Sequence, residues 1–428
     1  MKKSLISLTA ALLLFSSSQA AVFADSIVYD DDEDITQNLY VSTEVLDTVS
    51  FIDLNYVLDK ALKDSHNLNL LTLKYAAQAG KQGDLEDQKE RLVGTAVPAP
   101  QYLPTTPGQV VIPGVDPLDP MTAISNTAIN KLMDSMGALA GGMNTIILTQ
   151  REQARMAIHQ LDTDKKNTLL QTDEAKAGIR LQTIAQYVQL LGQKKQLDFM
   201  KEYESVMEKD LLKATLFQQQ GLASADDVQT VQKAISKQKD DIASLTNNYR
   251  LGIVQLSADI GISYDPNLII RDIEPIVVEP IVEKDTKTLL ESSYQMKTTA
   301  NNIDESVWQS GNTVTNSTYG SEYLGANIAI AGQKNQQTQL ELTKKIQAAY
   351  NDAKNAYQSV LTEQRNLNDI NADLKNVQFR YNVGVISKHD LTKFMLKVHQ
   401  NETTLAAAKL KYYTLKEKVK AMDTGFIQ

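Results

Sequence analysis

The chain has 428 residues, of which 42% are hydrophobic and 22% are charged, and its formal net charge is −9. That length can supply one large core or those of two to three ordinary domains, and the acidic balance argues against nucleic acid as a partner. There is no cysteine, which excludes disulfides and the lipid-modified cysteine of a bacterial lipoprotein.

The N-terminus has the pattern of an export signal. A basic pair at 2–3 precedes an apolar run from Leu5 to Phe15, and small residues follow. Because this run is shorter than the roughly 20 residues of a membrane-spanning helix, we predict a secretory signal peptide over residues 1–24. Residues 25–50 contain an unbroken run of acids from Asp30 to Asp34, and we predict a solvated acidic tail there.

Proline is confined to two parts of the sequence. Seven of the ten prolines form a cluster: Pro98, Pro100, Pro104, Pro107, Pro113, Pro117 and Pro120. The other three lie within 266–280, so 121–265 and 281–428 contain none. Proline breaks helix interiors, and these two stretches are rich in Ala, Leu, Lys, Gln and Glu. They therefore predict long helices.

Apolar residues seven apart predict coiled-coil packing near the C-terminus. One register contains Leu391, Val398, Leu405, Tyr412 and Val419, and a second contains Phe394, Asn401, Ala408, Leu415 and Met422. The same spacing occurs earlier at Val228, Ile235, Ile242, Tyr249 and Leu256. We expect Tyr249 and Tyr412, which are on these heptads, to be packing residues.

A fixed offset of 163 relates the two heptad sets and also the residues before them, which indicates an internal duplication. The matched pairs are Gly221 with Gly384, Ser224 with Ser387, Asp227 with Asp390 and Tyr187 with Tyr350. We assign the first repeat to 51–263, a linker to 264–284 and the second repeat to 285–425. The first helices match at an offset of 232 instead, so the first repeat carries 69 additional residues (232 − 163), placed in a Pro-rich insertion at 93–142.

Each repeat thus predicts a long helix, a glycine turn and a second helix. The glycine would end the first helix in the left-handed conformation. The serine would cap the second helix, and the aspartate three residues later would complete a capping box and favour the helix dipole. These residues are Gly221, Ser224 and Asp227 in one turn and Gly384, Ser387 and Asp390 in the other.

The signal peptide, the paired helices and the turn motifs "QQQGLASADDV" (Gln218–Val228) and "YNVGVISKHDL" (Tyr381–Leu391) resemble the TolC family of outer-membrane efflux proteins. The helix ends "LSADIGI" and "VKAMDTG" resemble the family as well. The resemblance implies an all-α fold of long antiparallel hairpins in two tandem repeats, which a homotrimer closes into an α-helical barrel. It also implies the exit duct of a tripartite efflux or type I secretion system, with a periplasmic-type adaptor and an inner-membrane pump as partners.

The resemblance assigns particular roles to the turns. Adaptor docking would fall on Gly221, Leu222, Ser224, Gly384, Val385 and Ser387. In the family, acidic residues six and nine positions after the second-repeat glycine constrict the entrance; here these positions are Asp390 and Lys393, and Asp227 is the first-repeat counterpart. In a trimer, the Asp390 and Lys393 side chains would neutralise one another and weaken a cation-selective gate.

The sequence departs from the family where membrane strands are expected. Seven prolines argue against strands at Pro98–Pro120, and Asn312–Gly332 could form only a small hairpin. We therefore expect at most a reduced β part. The resemblance implies a place in the outer membrane. The missing strand signal keeps open a second interpretation, a coiled-coil structural or adhesion protein of the cell wall or surface without a conduit.

Nothing in the sequence predicts an enzyme, a metal site or a cofactor. The four histidines, His66, His159, His389 and His399, show no metal-ligand spacing. His389 adjoins Asp390, but no nucleophile motif accompanies the pair. The repeat counterpart of His389 is Asp226, so we assign this histidine no role.

Overall fold

A computed structural model describes residues 46–108, 119–273, 275–313 and 317–428. The predicted signal peptide and nearly all of the acidic tail lie outside the described residues. In chain order the elements are β1 (Phe51–Ile52), α1 (Leu54–Lys63), α2 (His66–Arg91), a 3₁₀ turn (Leu92–Gly94), α3 (Pro120–Gln219), α4 (Ala225–Asp259), β2 (Ile269–Ile270), α5 (Thr286–Ser292), α6 (Tyr294–Asn312), α7 (Thr318–Asn382) and α8 (Lys388–Asp423).

Long antiparallel helices dominate the described residues, which confirms the all-α prediction. Helix α3 alone has 100 residues, a length of about 150 Å. Asp119 caps its start by accepting the Thr122 N–H at 2.9 Å, and Pro120 occupies the first turn, where a missing N–H costs nothing. Helices α3 and α4 form one hairpin, and α7 and α8 form the other.

Strand structure among the described residues is limited to β1 and β2, which pair in parallel with Phe51 opposite Ile269. The small hairpin considered for Asn312–Gly332 is wrong, since α7 begins at Thr318. Ser317 caps that helix by accepting the Gly320 N–H at 3.1 Å. No helix in the described ranges has the length and apolarity that a membrane span requires.

Only part of the region assigned to the insertion 93–142 is non-helical, because residues from Pro120 onward continue into α3. The extended residues before it lie along this helix and are held by asparagines. Asn144 accepts the Val97 N–H at 2.8 Å and donates to the Val97 carbonyl at 3.0 Å. Asn130 makes the same pair of bonds with Leu103, at 2.8 and 2.7 Å. These bonds satisfy backbone groups that proline-rich sequence cannot pair in a sheet.

Helix α6 is joined to α3 by a buried acid. The Glu305 carboxylate accepts the Thr163 hydroxyl at 2.8 Å, and its second oxygen accepts the Gln309 amide at 2.8 Å. The Nδ1 atom of His159 lies 2.6 Å from this carboxylate, and its ring stacks on Trp308 at 3.6 Å. Because a buried carboxylate is costly unless it is hydrogen-bonded, this cluster favours one register of α6 on α3.

Repeat-related tyrosines attach the linker to the helices. The Tyr187 hydroxyl lies 2.6 Å from the Arg271 carbonyl, and Tyr350 accepts the Lys284 N–H at 2.9 Å. Tyr412 is fully buried and donates to the Glu279 carbonyl, while Tyr249 is half-buried against the core of the first repeat. The prediction that Tyr249 and Tyr412 are packing residues is confirmed.

Candidate functional site

The turn between α3 and α4 is closed by two backbone hydrogen bonds. Gly221 has a φ of 73°, a left-handed conformation that favours glycine. Its N–H donates to the Gln218 carbonyl at 2.9 Å, and the Leu222 N–H donates to the Phe217 carbonyl at 2.8 Å. This pair of bonds is the Schellman motif, which satisfies the last carbonyls of a helix.

The turn between α7 and α8 has the same geometry. Gly384 has a φ of 78°. Its N–H donates to the Tyr381 carbonyl at 2.9 Å, and the Val385 N–H donates to the Arg380 carbonyl at 2.8 Å. The two turns therefore share their hydrogen bonds at an offset of 163, as the predicted duplication requires.

Each second helix starts with the predicted capping box. The Asp227 N–H donates to the Ser224 hydroxyl at 3.1 Å, and the Ser224 N–H donates to the Asp227 carboxylate at 2.9 Å. Ser387 and Asp390 make the same bonds at 3.1 and 3.2 Å. These serine bonds hold the pKa of both carboxyls below the usual value, so the acids stay ionised beside the helix N-termini.

Both turns present apolar side chains to solvent. Leu222 and Val385 are exposed, and so are Leu216 and Phe379, which occupy repeat-related positions one turn earlier. Sequence reasoning identified the first pair and missed the second. Heptad positions predict the buried side of a helix, so they do not identify exposed apolar residues. Leu216 and Phe379 can be recognised as a pair only when the two repeats are aligned.

Asp210 on α3 makes two ionic contacts near the second turn. Its carboxylate lies 2.6 Å from the Nε2 atom of His389 and 2.6 Å from the Nζ atom of Lys393. Burial alone would raise the pKa of the Asp210 carboxyl, but Lys393 and His389 outweigh it and leave the pKa below its usual value. The structure thus gives His389 a contact that the sequence did not predict.

Lys393 has a partner within its own chain. It pairs with Asp210, while Asp390 remains in its capping box. The neutralisation of Asp390 by Lys393 across a trimer stays a prediction. Farther along α8, the Nδ1 atom of His399 lies 2.7 Å from the Glu202 carboxylate. The hydrogen bond to Glu202 raises the pKa of His399. Helix α8 is therefore linked to α3 at two positions, through Asp210 near the turn and through Glu202 farther along.

Replacing Asp210 with Asn should lower the free energy of unfolding by about 1–2 kcal/mol at pH 7, because Lys393 and His389 lose their anion. The lowered pKa of Asp210 means that its contribution is present above its unfolded pKa of about 3.9 and is lost as the pH falls through the folded value. The urea midpoints of D210N and the wild type, followed by circular dichroism, should therefore differ at pH 7 and converge once the pH has fallen below the lowered pKa of Asp210.

A suitable control is Asp241→Asn. Asp241 pairs with Lys237 at the same distance, 2.6 Å, but both side chains are well exposed on one helix. Such pairs contribute only about 0.3–0.5 kcal/mol. If D241N and D210N lowered the urea midpoint equally, the contacts of Asp210 would stabilise the protein no more than an exposed ion pair does.

The chain matches known proteins in structure but not in sequence. No family model matches the chain, and no curated protein matches it. The outer membrane protein VceC of Vibrio cholerae superposes with a TM-score of 0.56 at 11% identity, over 88% of this chain and 97% of that one. The CmeC outer membrane channel of Campylobacter jejuni gives 0.54 at 14% identity, over 88% and 86%. CusC, whose crystal structures concern folding and transmembrane channel formation, superposes with a TM-score of 0.54 at 11% identity, over 89% of this chain and 95% of that one.

The chain has the TolC-type fold. At these identities the fold is the shared property, and it extends over most of each chain. Within the TolC-type fold, the two Gly turns lie where each long hairpin reverses, and the Asp210 contacts bring the second turn beside α3. In the described part of the chain, no three His, Cys, Asp or Glu side chains are grouped so that they could hold a metal ion.

Proposed function

We propose that the protein is the exit duct of a tripartite efflux or type I secretion system, a passive conduit and not an enzyme. The observation that carries this proposal is the match of nearly the whole chain to outer-membrane channel proteins. Three copies would close the paired hairpins into a tapering tunnel. An inner-membrane pump would supply the energy, and the duct would belong to the outer membrane of the cell envelope.

The proposed docking surface for a periplasmic-type adaptor is formed by the two turns. Gly221, Leu222, Ser224, Gly384, Val385 and Ser387 form it. The support is physical: the Schellman bonds and capping boxes fix the backbone of both turns, so the positions from which Leu222 and Val385 project into solvent are set before binding. A preorganised apolar contact loses little conformational entropy when a partner binds.

Asp227, Asp390 and Lys393 are the proposed entrance gate. Asp227 and Asp390 are exposed and ionised beside their turns. Lys393 is held by Asp210 in the same chain, which leaves Asp390 less neutralised than a ring of alternating charges would be. Three Asp390 carboxylates would then attract cations to the entrance.

Electron microscopy of the purified mature chain tests the duct. A homotrimer with a hollow end-on projection is expected. The second candidate is a coiled-coil structural or adhesion protein at the cell surface, and the helical state of residues from Thr318 onward favours it over a strand-bearing channel. A solid rod of one or two copies would support that candidate and reject the duct.

Placing charge on both turns should disrupt adaptor docking. We expect Leu222→Asp with Val385→Asp to lower cross-linking to a periplasmic-type adaptor that cross-links to the wild type by tenfold or more, because carboxylates cannot be buried without a partner. Val282→Asp is the control, since this linker residue is even more exposed but lies away from the turns. Undiminished cross-linking in the double variant would reject docking at the turns.

A further inference from the structure

Helix α6 is held on α3 by polar side chains. Glu305 is the one buried residue of this helix, so none of its apolar side chains is buried. One turn before Glu305, the Asn301 amide donates to Asn167 at 2.9 Å. One turn after it, the Gln309 amide donates to Gln160 at 3.0 Å. Buried apolar side chains contribute more to stability than neutral hydrogen bonds do, so the hold of α6 on α3 depends strongly on the buried acid.

Glu305 is the only buried carboxylate in the described ranges, with 5% of its surface exposed. Besides its bonds to Thr163 and Gln309, it lies 2.6 Å from the Nδ1 atom of His159. An ionised carboxylate only accepts hydrogen bonds, so this nitrogen carries a proton. While the second ring nitrogen is unprotonated, the carboxylate has donors but no counter-charge. When that nitrogen also binds a proton, the contact becomes an ion pair, which is the stronger interaction.

The other charged groups of α3 near His159 are already paired. Arg155, one turn before it, pairs with Glu152 at 3.1 Å. Asp162, three residues after it, pairs with Lys166 at 2.7 Å. Each of these cations thus has an acid on its own helix. In the described part of the chain, His159 is the only cationic side chain that contacts the buried carboxylate at ionic distance.

The helices packed around this contact supply no cation to it either. On α6 the neighbouring charged residue is Asp304, an exposed acid, and α7 has no charged residue over 323–333, the part that runs beside α6. The Gln82 side chain of α2 bonds Lys165, which sets the level of α2 on α3. The charged residues of α2 nearest this level are Asp84, Glu86, Asp87, Lys89 and Glu90. Among the described contacts, none of these five bonds His159 or Glu305.

We propose that His159 and Glu305 form a pH-sensitive contact that holds α6 more firmly on α3 when the imidazole is protonated. Histidine is the side chain that ordinarily changes its charge between about pH 5 and 8. The additional hold is therefore present at the acidic end of this range and is lost as the pH rises through it. The contact lies within one chain, so its failure would leave the proposed duct untouched, and failure of the duct would leave the contact untouched.

Trp308 gives a direct optical test, because it is the only tryptophan of the chain. Its ring stacks on His159 with the centroids 3.6 Å apart and the planes 1° from parallel. A protonated imidazole quenches the fluorescence of an indole ring that it contacts. The emission of the purified full-length chain should therefore fall about twofold between about pH 8 and pH 5.5, and His159→Gln should abolish this fall. His66→Gln is the control, since His66 is exposed at the start of α2 and this variant should behave as the wild type.

Hydrogen exchange measures the hold on α6 itself. After correction for the intrinsic effect of pH, α6 amides should be about tenfold better protected at about pH 5.5 than at pH 8. Helix α4 contains no histidine and serves as the reference within the same molecule. His159→Gln keeps a hydrogen-bond donor but cannot bind a proton, and Glu305→Gln removes the anion, so both variants should lose this pH dependence. Equal protection of wild-type α6 at both pH values, or an unchanged pH dependence in His159→Gln, would overturn the proposal.

Discussion

Replacing Gly425 with Ala should lower the free energy of unfolding by about 3 kcal/mol. Gly425 has a φ of 100°, and a Cβ atom there would lie 2.5 Å from the Ser292 carbonyl oxygen. Its own carbonyl accepts the Tyr294 N–H at 3.0 Å. Relief of the overlap would separate the end of α8 from the α5–α6 junction and loosen the core that contains Leu289 and Met422.

Gly384→Ala is the matched control for Gly425→Ala. Gly384 also has a positive φ, 78°, but a Cβ atom added there would meet no atom within 4 Å apart from its neighbours in the chain. Its cost is therefore the backbone strain alone, about 1–2 kcal/mol. Urea unfolding followed by far-ultraviolet circular dichroism, which reports secondary structure, should separate the two variants. Equal losses would mean that the contact with Ser292 relaxes without consequence.

Replacing Tyr187 with Ala should cost about 3–5 kcal/mol, the range for removing a large buried aromatic side chain. Tyr187 is fully buried in the core formed by α1, α3 and α4. Its hydroxyl lies 2.6 Å from the Arg271 carbonyl and 3.2 Å from the Ile52 carbonyl, next to the β1–β2 pair. The substitution thus removes packing and also releases the start of the linker.

Two further variants divide this effect into its parts. Tyr187→Phe keeps the ring and removes the hydroxyl, so it should cost about 1–2 kcal/mol for an unsatisfied carbonyl. Tyr319→Ala is the control, because this side chain is largely exposed on α7 and should matter by less than about 0.5 kcal/mol. The same urea titration measures all three variants, and a Tyr187→Ala loss close to that of Tyr319→Ala would contradict the role assigned to the core.

The two turns were predictable because their chemistry is local. A glycine that ends a helix, a serine three residues later and an aspartate three residues after that act through bonds between near neighbours in sequence. The structure shows those bonds at Gly221 and Gly384 with closely similar lengths. Because the duplication repeats the same pattern at a fixed offset, a chance occurrence could be set aside for both turns.

Contacts between distant parts of the chain were not predictable in the same way. His389 and Asp210 are 179 residues apart, and no repeat pattern marks either residue as a partner of the other. The hairpin considered for Asn312–Gly332 was wrong for a different reason. The segment was considered because the resemblance expects strands there. Its glycines, Gly320 and Gly325, each cost a helix only about 1 kcal/mol, which the Ser317 cap and the contacts of α7 with α6 offset.

The contacts of Asp210 with His389 and Lys393 hold one of the two duplicated turns more firmly than the other. At an offset of 163, the residues that correspond to Asp210, His389 and Lys393 are Asp373, Asp226 and Thr230. That second set contains no cation, so it cannot form the same ionic contact. A force applied equally to both turns would therefore meet more resistance at the start of α8 than at the start of α4. The start of α8 therefore has an ionic brace against α3 that the repeat-related residues at the start of α4 do not reproduce.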